Sequence, residues 1–80
     1  MLGTRRDRRA TIARMKVELN GSAHEVPAGS TVRDLLRLLG RDGVPCAVEV
    51  NRALVPHREH AGHALQEGDR VEVVTLVGGG

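Results

Sequence analysis

Ser30-Thr31-Val32-Arg33-Asp34-Leu35-Leu36-Arg37-Leu38-Leu39-Gly40 decides the fold. Val32, Leu35, Leu36 and Leu39 fall at i, i+3, i+4 and i+7, the spacing of an amphipathic helix with one apolar stripe. Ser30 or Thr31 starts it. Thr31 with Asp34 three residues on reads as a capping box, Asp standing in for Glu. Gly40 suits the C-terminal stop. Arg33, Arg37 and Arg41 lie on the other side. A helix this short does not hold in water alone, so its leucine stripe must lie on something flat.

The flanking sequence supplies that surface. Upstream, Met15-Lys16-Val17-Glu18-Leu19 alternates apolar and charged residues, as a half-buried strand does. Asn20-Gly21 is a strong two-residue hairpin turn, and a second strand, Ser22 to Val26, ends at Pro27. Downstream, Asp42 to Pro45 is a loop and Cys46-Ala47-Val48-Glu49-Val50 a third strand. Asn51-Arg52 makes a turn into a short fourth strand, Ala53 to Val55. Residues 57–65 are irregular and solvated, with room for one helical turn. Gln66 to Asp69 turns into a last, β-branched strand, Arg70 to Val77. Its apolar density predicts a central strand shielded on both faces for part of its length. One helix across a small mixed sheet of about five strands is an α+β architecture.

Eighty residues make one small domain. With no Phe, Tyr or Trp, the core must be aliphatic, and the missing aromatics count against stacking-based binding of single-stranded nucleic acid. No apolar run approaches the roughly 18 residues of a membrane span, and no secretory signal is visible. A single cysteine, Cys46, fits a reducing cytoplasm. Residues 1–14 carry Arg5, Arg6, Arg8, Arg9 and Arg14 against Asp7, a balance of +4, while residues 15–80 sum to −2. The basicity therefore belongs to residues 1–14, read as a disordered leader, and the domain covers residues 15–80. The leader is an extension upstream of a start at Met15, a native basic arm or an organelle transit peptide.

No catalytic constellation stands out. Cys46 reads as a small buried hydrophobe. His57, His60 and His63 recur at spacings of three but sit in a polar, Gly-containing segment, so no metal site is assigned; His24 is a surface residue. Ala28-Gly29-Ser30-Thr31 has one glycine and no lysine, too little for a phosphate loop. The arginine stripe is a solvated face.

That leaves Val77-Gly78-Gly79-Gly80, where the sequence closes. Three glycines bring no side chain to bury and lose much freedom on ordering, so a thin finger is expected beyond a rigid strand. A carboxylate is a poor acyl donor, but adenylation makes it a mixed anhydride, and a sulfur nucleophile displacing AMP leaves a thiocarboxylate. Gly78 and Gly79 permit threading into an enclosed site, and Gly80 is the residue modified. On this reading the chain is a substrate, not an enzyme.

Asn20-Gly21, Ala28 to Leu36, Ala47 to Arg52, Val55-Pro56, Gly68 to Val74 and Val77 to Gly80, in this order, make residues 15–80 similar to the ThiS family, small sulfur carriers of bacterial thiamin biosynthesis within the ThiS/MoaD superfamily. The resemblance implies a ubiquitin-like β-grasp fold. It implies a ThiF-like adenylating enzyme using ATP and magnesium, a cysteine desulfurase or sulfurtransferase as sulfur source, and a ThiG-like thiazole synthase as recipient. No cofactor is implied for this chain. It also implies an apolar partner surface near the last strand, to which Val55, Leu76 and Val77 are assigned by position. A carrier for molybdopterin synthesis or another pathway, a ubiquitin-like protein modifier, and a plain interaction module are the alternatives.

Overall fold

Two hairpins and a lone strand build the sheet. The computed structural model describes residues 13–76. β1 (Arg14–Leu19) and β2 (Ser22–Pro27) form the first hairpin, α1 (Val32–Leu38) crosses to the second, β3 (Cys46–Val50) and β4 (Ala53–Val55), a 3-10 turn (His57–Glu59) follows, and β5 (Arg70–Thr75) comes last. The strand order is β2-β1-β5-β3-β4. β5 runs parallel to β1 and antiparallel to β3, so the last strand is the central one, as its composition predicts. This is the ββαβββ order expected of a β-grasp domain. β1 begins at Arg14, and the Ala13 carbonyl accepts a bond from Ala28 N–H at 2.9 Å, so residues 13 and 14 belong to the folded part rather than to a leader.

Both hairpin turns are two residues long with positive φ throughout: Asn20 and Gly21 at 48° and 88°, Asn51 and Arg52 at 52° and 69°. That twist matches the strands it joins. Arg52 carries the steric cost of its Cβ in the left-handed region.

The helix is closed at both ends by its sequence. Thr31 Oγ1 accepts from Asp34 N–H at 3.1 Å, and Asp34 Oδ2 accepts from Thr31 N–H at 2.9 Å. The next two orphan donors, Val32 and Arg33 N–H, reach the carbonyls of His63 and His60, both at 3.0 Å. At the other end Gly40, φ 72°, donates to Arg37 O and Arg41 N–H to Leu36 O, a Schellman stop.

Val32, Leu35 and Leu36 enter one aliphatic core with Met15, Val17, Leu19, Val26, Cys46, Val48, Val50, Val55, Leu65 and Val71. Residues 60–65 are not solvated throughout: Ala61, Gly62 and Ala64 are exposed, but His60 and Leu65 are buried, and Leu65 N–H bonds Ser30 O at 2.8 Å. His60 Nε2 lies 3.0 Å from Val55 O, which meets the need of a buried ring nitrogen for a partner. The helix covers one face of the sheet only. Val71 faces the core at 1 % exposure while Val74 is 59 % exposed. The expected shielding of β5 on both faces is therefore corrected: alternation along the strand sends Glu72 and Val74 to an uncovered side.

Two outcomes follow for stability. The Asp34 carboxyl is held below its ordinary range, first by the Thr31 backbone N–H, then by the Thr31 side chain, with smaller help from Arg37 and Arg33. A depressed folded-state pKa stabilises above the unfolded value, about 4, and that contribution is lost as pH falls through the folded one. Thermal melts should thus show Asp34→Asn less stable than wild type at neutral pH, with the gap closing in acid; Thr31→Ala should cost about 0.5–2 kcal/mol. Arg52→Gly should raise the melting temperature, because relief of an αL penalty of about 1–2 kcal/mol exceeds glycine's entropic cost of about 0.5–1 kcal/mol. An unchanged or lower melting temperature would contradict the strain at this turn.

Candidate functional site

β5 delivers the chain to Leu76 from the middle of the sheet, and its neighbours hold it on both flanks. On the β1 side, Asn20 N–H bonds Val71 O at 2.9 Å. The Asn20 side chain grips Val73 twice, accepting from its N–H at 2.9 Å and donating to its carbonyl at 3.2 Å. On the β3 side, Asn51 N–H bonds Arg70 O at 2.7 Å, and its side chain accepts from Arg70 N–H and donates to Asp69 Oδ1, each at 3.0 Å. Buried Asp69 completes the turn by accepting from Gln66 N–H at 2.8 Å. The sequence marks both asparagines as turn residues. Their side-chain grip on the last strand appears only once β5 lies between the hairpins. Past β5, Leu76 N–H bonds Pro45 O at 2.9 Å, so the root is fixed to the last described residue.

Beside this root lies the uncovered sheet face. Leu54, Val74 and Leu76 are 65, 59 and 51 % exposed, and register sets Ala47 opposite Val74. Glu49 stands opposite both Leu54 and Glu72, so two like charges face each other across β3 and β5, an arrangement that costs stability. Arg70 meets Glu18 at 3.7 Å nearer the start of β5. The face is thus an apolar patch with two carboxylates, continuous with the strand that leads to the terminal glycines.

Of the residues assigned by position to a partner surface, Leu76 is exposed just past the end of β5. Val55 is 4 % exposed and in the core, and its neighbour Leu54 takes the outer position. The signal was in the hairpin register. A two-residue turn at Asn51-Arg52 pairs Val50 with Ala53 and Val48 with Val55, and residues directly opposite share a face. Val77, Gly78, Gly79 and Gly80 lie outside the described residues.

Other candidates are structural. Cys46 is a buried free thiol, and His24 is exposed. His57 and His60 stack edge to face at 5.3 Å. Among the described residues no three His, Cys, Asp or Glu side chains are grouped to hold a metal ion, and no helix is long and apolar enough to cross a membrane. Arg33 and Arg37 approach Asp42 at 3.9 and 3.7 Å on the exposed helix face, contacts of little energetic weight.

Comparison with known proteins agrees with this architecture. Two thiazole synthases, from Magnetococcus marinus and Paramagnetospirillum magneticum, are 44 and 41 % identical over 66 residues, 82 % of this chain; the chain spans only 20 % of the length of each. The sulfur carrier protein ThiS of Escherichia coli is 32 % identical over 66 residues, 82 % of this chain and all of that protein. The crystal structure of the thiamine biosynthesis protein ThiS from Geobacter metallireducens superposes with a TM-score of 0.69 at 26 % identity, over 82 % of this chain and all of that one. The ThiS family model matches residues 12–80. A central last strand, an uncovered apolar face beside it and this match over nearly the whole described fold agree: the chain belongs to the ThiS family.

Proposed function

We propose that this protein is a sulfur carrier of thiamin biosynthesis whose reactive group is the α-carboxylate of Gly80. The observation that carries the reading is the root: a central strand, hydrogen-bonded on both flanks and pinned by Asn20 and Asn51, precedes a Gly-Gly-Gly end and borders an uncovered apolar face. A carrier needs a rigid grip point for its partner and a thin segment without Cβ atoms to enter an enclosed active site.

In the first step a carboxylate oxygen of Gly80 attacks the α-phosphorus of ATP and pyrophosphate leaves. In the second a persulfide of the sulfur donor attacks the carbonyl carbon and AMP leaves, giving an acyl disulfide; a second thiol then attacks the donor's sulfur of that S–S bond and takes up the donor as a disulfide, which leaves the thiocarboxylate on Gly80. ATP and magnesium belong to a ThiF-like adenylating enzyme, and the sulfur comes from a cysteine desulfurase or sulfurtransferase. This chain is the substrate in both steps, with no cofactor of its own, working in the cytoplasm. A ThiG-like synthase is the acceptor. A segment like this chain within two longer proteins named thiazole synthases supports that pairing, since joined domains commonly serve one reaction.

Incubation with the ThiF-like enzyme, ATP, magnesium and a sulfur donor should raise the intact mass by the difference between sulfur and oxygen, localised to Gly80. A chain lacking Gly80 should melt as wild type does and gain no mass. Normal activation of the shortened chain would sink the carrier reading, and lysine-linked adducts would identify a protein modifier instead. Val74→Glu should raise the KM for the carrier about tenfold, equivalent to about 1.4 kcal/mol, with stability changed by no more than about 0.5 kcal/mol because the site is exposed.

A further inference from the structure

A second surface meets the root of the tail on the helix side. A cleft of about 770 Å³ opens between the loop after α1 and the 3-10 turn, with Leu36, Val44, Pro45 and Ala61 in its walls, Arg41 and Arg58 on its rim, and Leu76 beside them. Arg41 and Arg58 come from separate segments, and among the described residues neither has a carboxylate within 4.0 Å. The one acid in the lining, Asp42, is engaged by Arg33 and Arg37. The cleft is therefore an apolar trough with uncompensated positive charge.

Reach decides what covers it. Four residues separate Leu76 from the end of Gly80, and an extended chain spans at most about 3.6 Å per residue, about 14 Å in all. An enzyme that takes Gly80 into its active site must bring its surface within that distance of Leu76, and the cleft that Leu76 lines lies within it. Covering two arginines without pairing them would leave desolvated, unmatched charge.

We propose that this cleft receives an acidic segment of the adenylating partner, an apolar side chain seated in the trough and flanking Asp or Glu side chains on Arg41 and Arg58. The inference rests on the carrier reading above and adds the chemistry of the partner. It gives the root two complementary sides: an apolar face with Glu49 and Glu72 behind the sheet, and a basic cleft before it.

The test is the kinetics of ATP-dependent activation by the cognate ThiF-like enzyme with the carrier as varied substrate. Arg41→Glu/Arg58→Glu should raise KM at least about tenfold with kcat within about twofold, and the wild-type KM should climb more steeply with salt than the variant's, since charge pairs at a rim are screened. Ala61→Trp, which fills the trough without changing charge, should raise KM as well. Arg14→Glu/Arg52→Glu is the control. Both positions lie toward the far end of the sheet from Leu76, and the control variant should behave as wild type. Melting curves of all variants verify folding. A KM within about twofold of wild type for both cleft variants, a fall in KM as expected if the chain's own tail lay there, or an equal loss in the control would overturn the proposal. If wild type itself is not activated, the carrier reading fails and takes this inference with it; if wild type is activated and the cleft variants match it, only this inference fails.

Discussion

The sheet is held together through one strand. β1–β2 and β3–β4 are local hairpins that share no ladder; each reaches the other only through β5. β5 is also the last described element, so both hairpins and the helix must be present before their central seat exists. Such a sheet closes by non-local pairing, with loop closure paid for before the contacts are gained. The asparagine side chains matter in this light. Asn20 and Asn51 each end a hairpin strand and each grip β5 backbone, so the residues that turn the hairpins also lock the strand between them.

The helix, both hairpin turns and the centrality of β5 were legible because each rests on a local rule: heptad-like spacing, a capping box, asparagine in the left-handed region, a β-branched run. What was not legible depended on which face a strand presents. The apolar density of β5 was read as two-sided burial, yet this small domain has only one helix to cover a sheet, and Val74 and Leu76 stay in water. Val55 was placed on the partner surface by its position in the chain, although the period of two and the hairpin register put it in the core and Leu54 outside. The segment at residues 60–65 looked polar in sequence. Its two buried residues, His60 and Leu65, are fixed by backbone geometry, because the segment supplies the carbonyls that close the first turn of α1 and the Ser30–Leu65 bond.

The composition of the outer face bears on the same point. Exposed Leu54, Val74 and Leu76 beside a like-charge Glu49–Glu72 pair do nothing for the isolated fold; a face optimised for stability would carry Thr or paired charges there. Scattered exposed apolar residues are ordinary, but ones gathered on a single uncovered face mark a contact surface; Leu54 on β4 and Val74 on β5 flank β3, which sets Ala47 and Glu49 between them. Here the group borders the one strand whose continuation carries the glycines. The face that costs the free protein stability is therefore the one beside the root of the glycine end.

Reach also orders the handover. On the proposed carrier reading, an enzyme that charges Gly80 and an enzyme that unloads it would each approach within about 14 Å of Leu76, and that radius contains both the outer face and the cleft. One tail cannot occupy two enclosed sites at once. On that reading the carrier would leave the first enzyme before the second takes the tail. What distinguishes the partners is then the side of the root each one favours. A basic cleft and an apolar, acid-dotted face offer different complementarity, and exchange is fast only if neither is bound very tightly. A small aliphatic fold with a rigid root and modest, separate contact surfaces meets that requirement, whereas one large hydrophobic interface would hold the first partner and stall the second.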